Sequence, residues 1–235
     1  MSTSTNPRVR PDVLRSALVV LRKDLLIEWR SRARINALVF FALSTLLLFS
    51  FALGPDTRAL GRSAGGYLWL AIMFSSVLAL GESFRVESEN AALDGLRLLP
   101  VDPRAIFLGK AAGNSALLMV LSAVLIPVTL AVYDVRPVGG LPALAGVLAL
   151  GCLAISAPGT VYAAIAAQSR ARDVLLPLLL FPILIPALIA CSKATTLVLQ
   201  GDAMRELGSW TGLLIGFNVA YWALGLLLFP NVIED

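Results

Sequence analysis

Between Glu82 and Arg104 the chain gathers side chains suited to gripping another protein. Glu82, Arg85 and Glu89 fall at helical spacings of three and four, Asp94-Gly95 marks a turn, and Pro100 and Pro103 close the unit. Leu93, Leu96, Leu98 and Leu99 give it an apolar side, so it can form a short helix that presses into a groove on a partner; the plainer alternative is an amphipathic loop resting on lipid headgroups. This is the chemistry of recognition, and the constellations of bond-breaking chemistry are missing. The chain has no His, and its two Cys, Cys152 and Cys191, stand singly and far apart inside apolar stretches, where small buried thiols are the commoner case. Its Gly-Lys pair, Gly109-Lys110, is followed by Ala111 and lacks the preceding glycine that a phosphate-cradling loop needs. No apolar stretch pairs two carboxylates or sets a base beside a nucleophile.

What must position these residues is a set of membrane-spanning helices. A hydrocarbon core about 30 Å thick takes roughly 20 apolar helical residues to cross. Six stretches of about that length lack Asp, Glu, Lys and Arg: Asn36 to Leu53, Gly65 to Gly81, Ala111 to Tyr133, Leu141 to Gln168, Val174 to Ser192 and Ser209 to Pro230. The expectation is an all-α integral membrane protein whose bundle interior carries no fixed charge. With 58% hydrophobic and 14% charged residues, the chain has too little polar surface to solvate a globule of its size. The organisation read from this pattern is an arm over residues 1–35, a six-helix domain over 36–230 that includes the connector 82–110, and a short tail over 231–235. Because the first long apolar run begins only at Asn36, after an Arg-rich arm, no cleaved secretory signal is expected.

Orientation follows from Lys and Arg. If the N-terminus faces the cytoplasm, 14 of the 19 basic residues fall on that side and 5 on the other, so both termini are expected to be cytoplasmic. The net charge of +4 is then a topology signal; no basic face with interleaved aromatics suggests a nucleic-acid partner.

Asp12 to Arg34 has helical periodicity without enough hydrophobicity to insert. Leu14, Leu18, Leu21 and Leu25 share one face, Arg15, Arg22, Lys23 and Arg30 cluster on another, and Trp29 suits the headgroup layer. The segment should lie on the lipid bilayer surface, and two readings stay open: a simple topology anchor, or an interfacial elbow helix that also touches a cytoplasmic partner, with Asp24 and Glu28 as the exposed acidic pair. In the fifth span Pro177, Pro182 and Pro186 each remove a backbone donor, which predicts a bent or broken helix packed against its neighbours; Pro158-Gly159 in the fourth span reads similarly. On the far side, Lys193 to Gly208 reads as an outer loop with a short surface helix before Trp210.

Three elements together resemble a known family. Phe84-Arg85-Val86-Glu87, then Leu93 to Pro100, then Gly109-Lys110 look like the cytoplasmic loop of ABC-2 permease subunits, and the match is closest to heme exporter protein B of bacterial cytochrome c maturation (CcmB). Ala157-Pro158-Gly159-Thr160 resembles that family's Ala-Pro-Gly element, and Leu176-Pro177 through Ala190 resembles its proline-punctuated fifth helix. The resemblance spans roughly Leu18 to Leu228. The family often has Gly, Ser or Thr, then Leu-Glu, where this chain has Ala91-Ala92-Leu93-Asp94, an acid one carbon shorter.

The resemblance implies the fold of an ABC-2 exporter permease in the bacterial inner membrane, paired with a second copy of itself and joined to a separate ABC ATPase. It also implies a Trp-rich heme-handling membrane protein, a small single-span subunit and a heme chaperone as partners. Heme is then the pathway's substrate and ATP belongs to the ATPase; with no His available as an axial ligand, no cofactor is expected on this chain. Glu82, Arg85, Glu87, Glu89 and Asp94, with Glu28 as a lesser candidate, are the residues expected to couple to the ATPase, and Pro158, Pro177, Pro182 and Pro186 those expected to bend. Two other readings stay open: a membrane scaffold for assembly factors with no substrate passage, and an ABC-2 permease for a lipid or a drug.

Overall fold

The computed structural model of the chain describes residues 13–30, 32–84, 102–169 and 171–234. Seven helices account for nearly all of them: α1 (Val13–Arg30), α2 (Arg32–Leu53), α3 (Thr57–Ser83), α4 (Pro103–Val132), α5 (Leu141–Ala167), α6 (Arg172–Gln200) and α7 (Leu207–Glu234). Among the described residues α2 to α7 are six helices long and apolar enough to cross a membrane. At 1.5 Å per residue the 30 residues of α4 reach about 45 Å, more than the hydrocarbon thickness, so its ends must leave the apolar layer.

Short connections, 54–56, 133–140, 168–171 and 201–206, make successive spans antiparallel neighbours. The face that carries α1, the last turn of α3, the start of α4 and the end of α7 is called the connector face below. The centre of the bundle is built by α3 and α5, the most buried spans; α2 and α7 are peripheral. Their contact is made by small residues. A Cβ on Gly151 of α5 would run into the Trp69 ring of α3, and a Cβ on Gly65 of α3 would lie 3.0 Å from the Ser192 carbonyl oxygen of α6. Close backbone approach of this kind supplies the dispersion contacts that hold helices together where lipid is as apolar as the core.

Three expectations are corrected. Lys193 to Gly208 forms no surface helix: α6 runs on to Gln200, and 201–206 is a tight turn. Gly201, at φ 99°, ends α6 by donating its N–H to the Leu197 carbonyl, and the Asp202 carboxylate then accepts from the N–H groups of Glu206 and Leu207 to start α7. The proline-bearing α6 is unbroken through Pro177, Pro182 and Pro186, and Pro182 and Pro186 lie on its exposed side instead of against other helices. Leucines at 176, 180 and 184 do the packing, and their face leaves the two prolines outward. Third, the third span does not begin at Ala111. Asp102 caps α4 through the Arg104 N–H and Pro103 occupies its first turn, so the helix starts eight residues earlier and takes Lys110 inside with it.

The elbow helix α1 packs almost entirely on α4. Ala17, Leu21 and Asp24 form its inward edge, against Gly109 and Gly113; a Cβ on Gly109 would meet the Ala17 carbonyl oxygen at 2.7 Å. Leu14, Leu18 and Leu25 are exposed on the other side, as an interfacial helix requires, whereas Leu21 turns inward.

Candidate functional site

On the connector face, α1, α2, α3 and α4 converge on a cluster of charged side chains. Its centre is Lys110, with a side chain only 2% exposed. Its ammonium group donates to the Ser83 carbonyl oxygen at 2.9 Å, pairs with the Asp24 carboxylate at 3.4 Å, and stands 4.5 Å from the centroid of the Phe84 ring. Each contact has a physical reason. The carbonyls of a helix's last turn lack intrahelical partners and favour a cation, an aromatic face attracts one, and a buried ammonium needs a counter-ion. The bundle interior therefore does carry a fixed charge, contrary to the reading of uncharged spans.

Asp24 and Glu28 are also not the exposed acidic pair that the arm's pattern suggests. Asp24 bridges Lys23 at 3.1 Å and Lys110, and Glu28, 14% exposed, pairs with Arg34 at 2.7 Å. Both face a small cleft of about 50 Å³ that Glu82, Ser83 and Asn114 also line. Burial raises the Glu28 carboxyl above its usual range; Arg34 pulls it back, and Asp24 and Glu82 push it further up. One Glu28 oxygen and the Arg34 Nε are buried without a hydrogen-bond partner among the described residues, so the pair is only half satisfied where it is buried.

A carboxyl raised in the folded state contributes stability that is complete below its unfolded value, near 4.5, and fades as the pH climbs through the folded value. Glu28→Gln, a permanent copy of the protonated acid, is therefore expected to flatten this part of the pH dependence and to be at least as heat-stable as the parent at pH 7. Thermal unfolding in detergent between pH 4 and 8 checks it; a variant clearly weaker at pH 7 would refute the argument.

Glu82 stands in the last turn of α3 and lines a second, larger cleft of about 300 Å³, together with Ala163, Arg172, Asp173 and Pro177. One side chain thus touches both clefts, directly before the residues that the sequence assigns to partner recognition. Arg85, Glu87, Glu89 and Asp94 lie outside the described residues.

Polar contacts continue from this junction into the bundle. One turn beyond Lys110, the Asn114 amide donates to the Thr160 hydroxyl at 2.9 Å, and Thr160 donates to the Ser156 carbonyl at 2.7 Å. Those residues bracket Pro158, buried in an unbroken α5. Gly159 leaves room for Leu80, which lies two residues before Glu82. The structure thus brings Glu28 and Glu82 to one cleft, Pro177 to the other, and Pro158 to the packing between α3, α4 and α5. Lys110 is the residue that sequence reasoning missed. The signal available was Asp102-Pro103, an N-cap and first-turn pair that places Lys110 two turns inside a helix.

The sequence model of the CcmB protein family matches residues 15–234, from the elbow helix to the end of α7. The chain belongs to the CcmB family. Heme exporter protein B of Pseudomonas aeruginosa is 31% identical over 79% of this chain and 82% of its own length. The protein of the same name from Rhodobacter capsulatus is 32% identical over 72% of the chain and 78% of its own, and that of Haemophilus influenzae 30% identical over 75% and 79%. The CcmB match takes in α1 and the Lys110 junction as well as the spans, so the elbow belongs to the family's common length. The six apolar helices make the chain a multi-pass membrane protein.

Proposed function

We propose that the chain is the membrane-embedded, non-hydrolysing subunit of an ABC-type complex in heme export for cytochrome c maturation, coupled to a separate ATPase through the residues after Glu82. The family match across residues 15–234 carries the reading. Its named relatives are heme exporters, and the chain has neither a P-loop nor a His. The arrangement at the connector face supports the coupling role. A push on residues 85–101 reaches α3 at Glu82, α4 and α1 through Lys110, and α5 through Asn114 and Thr160, because each step is a direct polar or packing contact. On this reading the connector face is cytoplasmic, the membrane is the bacterial inner membrane, and the complex contains a second copy of the chain and partners that handle heme. Heme ligation and ATP binding then belong to those partners.

The test is charge reversal at Glu87 and Glu89 together. The double variant is expected to reach the membrane in normal amount and to retain ATP turnover in the purified complex, while holocytochrome c falls by an order of magnitude or more. Unchanged cytochrome yield at equal abundance would remove the coupling assignment, and absence of any co-purifying ATPase would remove the complex.

A further inference from the structure

On the side of the bundle away from the connector face, α3 and α6 leave a lateral groove of about 310 Å³, lined by Gly66, Trp69, Leu70, Leu188, Ile189 and Lys193. It exists because α3 presents glycine there: a Cβ on Gly66 would meet only the Ser192 hydroxyl, at 3.4 Å. Arg62 stands one helical turn before Gly66, so it shares that face of α3 and sits above the groove. Arg62 and Lys193 are both exposed, and neither makes an ion pair among the described residues.

Their depth says what they meet. Helical rise puts Arg62 about 30 Å from Glu82 along α3; Gly61 lies beside Gln200 and Gly65 beside Thr196, so the Lys193 backbone sits roughly 9 Å deeper than Arg62 and its long stem carries the ammonium up toward the same level. With Glu82 and Arg172 at one edge of the hydrocarbon, both cations fall at the other edge, where lipid phosphates lie. Apart from Lys193 and the Ser192 hydroxyl, the groove is lined by apolar side chains. A lipid brings its phosphate to that level by construction and its acyl chain to the apolar surface beneath, whereas a protein helix would need an acid at that one register.

We propose that this groove holds one anionic glycerophospholipid, its phosphate between Arg62 and Lys193 and an acyl chain along Gly66, Leu70, Leu188 and Ile189. The site is independent of the coupling junction. Charge selects the headgroup, and the missing side chain at Gly66 makes space for the chain, so the two requirements can be broken separately.

The test uses the full-length chain with its co-purifying subunits in nanodiscs of phosphatidylcholine with one-fifth phosphatidylglycerol, and counts retained lipids by native mass spectrometry after transfer to detergent. Phosphatidylglycerol is expected to be retained over phosphatidylcholine. Arg62→Gln with Lys193→Gln should reduce that preference roughly 30-fold, from about 1 kcal/mol for each surface cation. Arg136→Gln, a neutralisation elsewhere on the same face, should leave it unchanged. Gly66→Leu should abolish retention of either lipid at this site without lowering thermal stability, since no backbone need move; if it does unfold the protein, the charge variants still decide. Equal retention of the two lipids, or equal losses in the Arg136 control and the double variant, overturns the proposal. So does efficient crosslinking of a cysteine placed at Leu70 or Ile189 to another polypeptide in native membranes, whether a partner subunit or a second copy.

Discussion

Lys110→Met is expected to destabilise the protein by about 3 kcal/mol and to loosen α1, because it removes the cation on which three elements converge. Methionine matches the length and volume of the lysine stem, so packing is largely kept and the loss is electrostatic. The Ser83 carbonyl, at the end of α3, loses its donor; Asp24 loses the buried half of its pairing, although the more exposed Lys23 remains at 3.1 Å. That residual partner keeps the effect at the lower end of what breaking a buried pair costs. For a chain of this length the change corresponds to a fall of roughly 6–12 °C in thermal midpoint. Proteolysis should then cut between α1 and α2 earlier than in the parent. Asp24→Asn in the Lys110→Met background should cost less than it does alone, since the acid no longer has a buried cation to lose. Additive effects of the two substitutions, or a Lys110→Met protein as stable as the parent, would show that the ammonium is not the tie between α1, α3 and α4.

The same residue shows which parts of the fold could be seen in the sequence. Long uncharged stretches announce spans because lipid excludes charge, and all six are helices near the expected places. That logic treats every lysine as a boundary. It assigned Lys110 to a connector and Lys193 to a loop, yet both lie inside helices: Lys110 because a carboxylate, a helix end and a ring converge on it, Lys193 because its long stem reaches the headgroup level. Local signals were present for the helix ends, in Asp102-Pro103 and in Gly201-Asp202, where capping chemistry is written in adjacent residues. The docking of Ala17 on Gly109 had no such signal, since the two positions are distant in the chain and each is unremarkable alone. The prolines of α6 illustrate the reverse. Their chemistry was plain, but whether they faced lipid or protein depended on where Leu176, Leu180 and Leu184 found their neighbours.

Gly151→Val is expected to be the most damaging single substitution in the spans, because it overfills the place where three helices meet. An added Cβ would run into the far edge of the Trp69 ring and lie 2.7 Å from the Cys191 sulfur, and neither can retreat easily. The Trp69 side chain is 1% exposed and its indole N–H is tied to the Thr195 hydroxyl at 2.8 Å; Cys191 is fully buried. Relief requires either breaking that hydrogen bond or separating α3 from α5, so the cost should reach about 3 kcal/mol, the upper part of the range for overpacked cores. Gly146→Val on the same helix is the control. Nothing lies within 4 Å of a Cβ there, and valine is the better helix former, so the control should be neutral or slightly stabilising. Trp69→Phe combined with Gly151→Val should recover part of the loss by shortening the ring that the new methyls strike. Membrane abundance and thermal midpoint in detergent read all three variants. If Gly151→Val matched Gly146→Val, the close approach of α3, α5 and α6 at this point would not exist, and the lateral groove that Trp69 helps to line would have to be drawn differently.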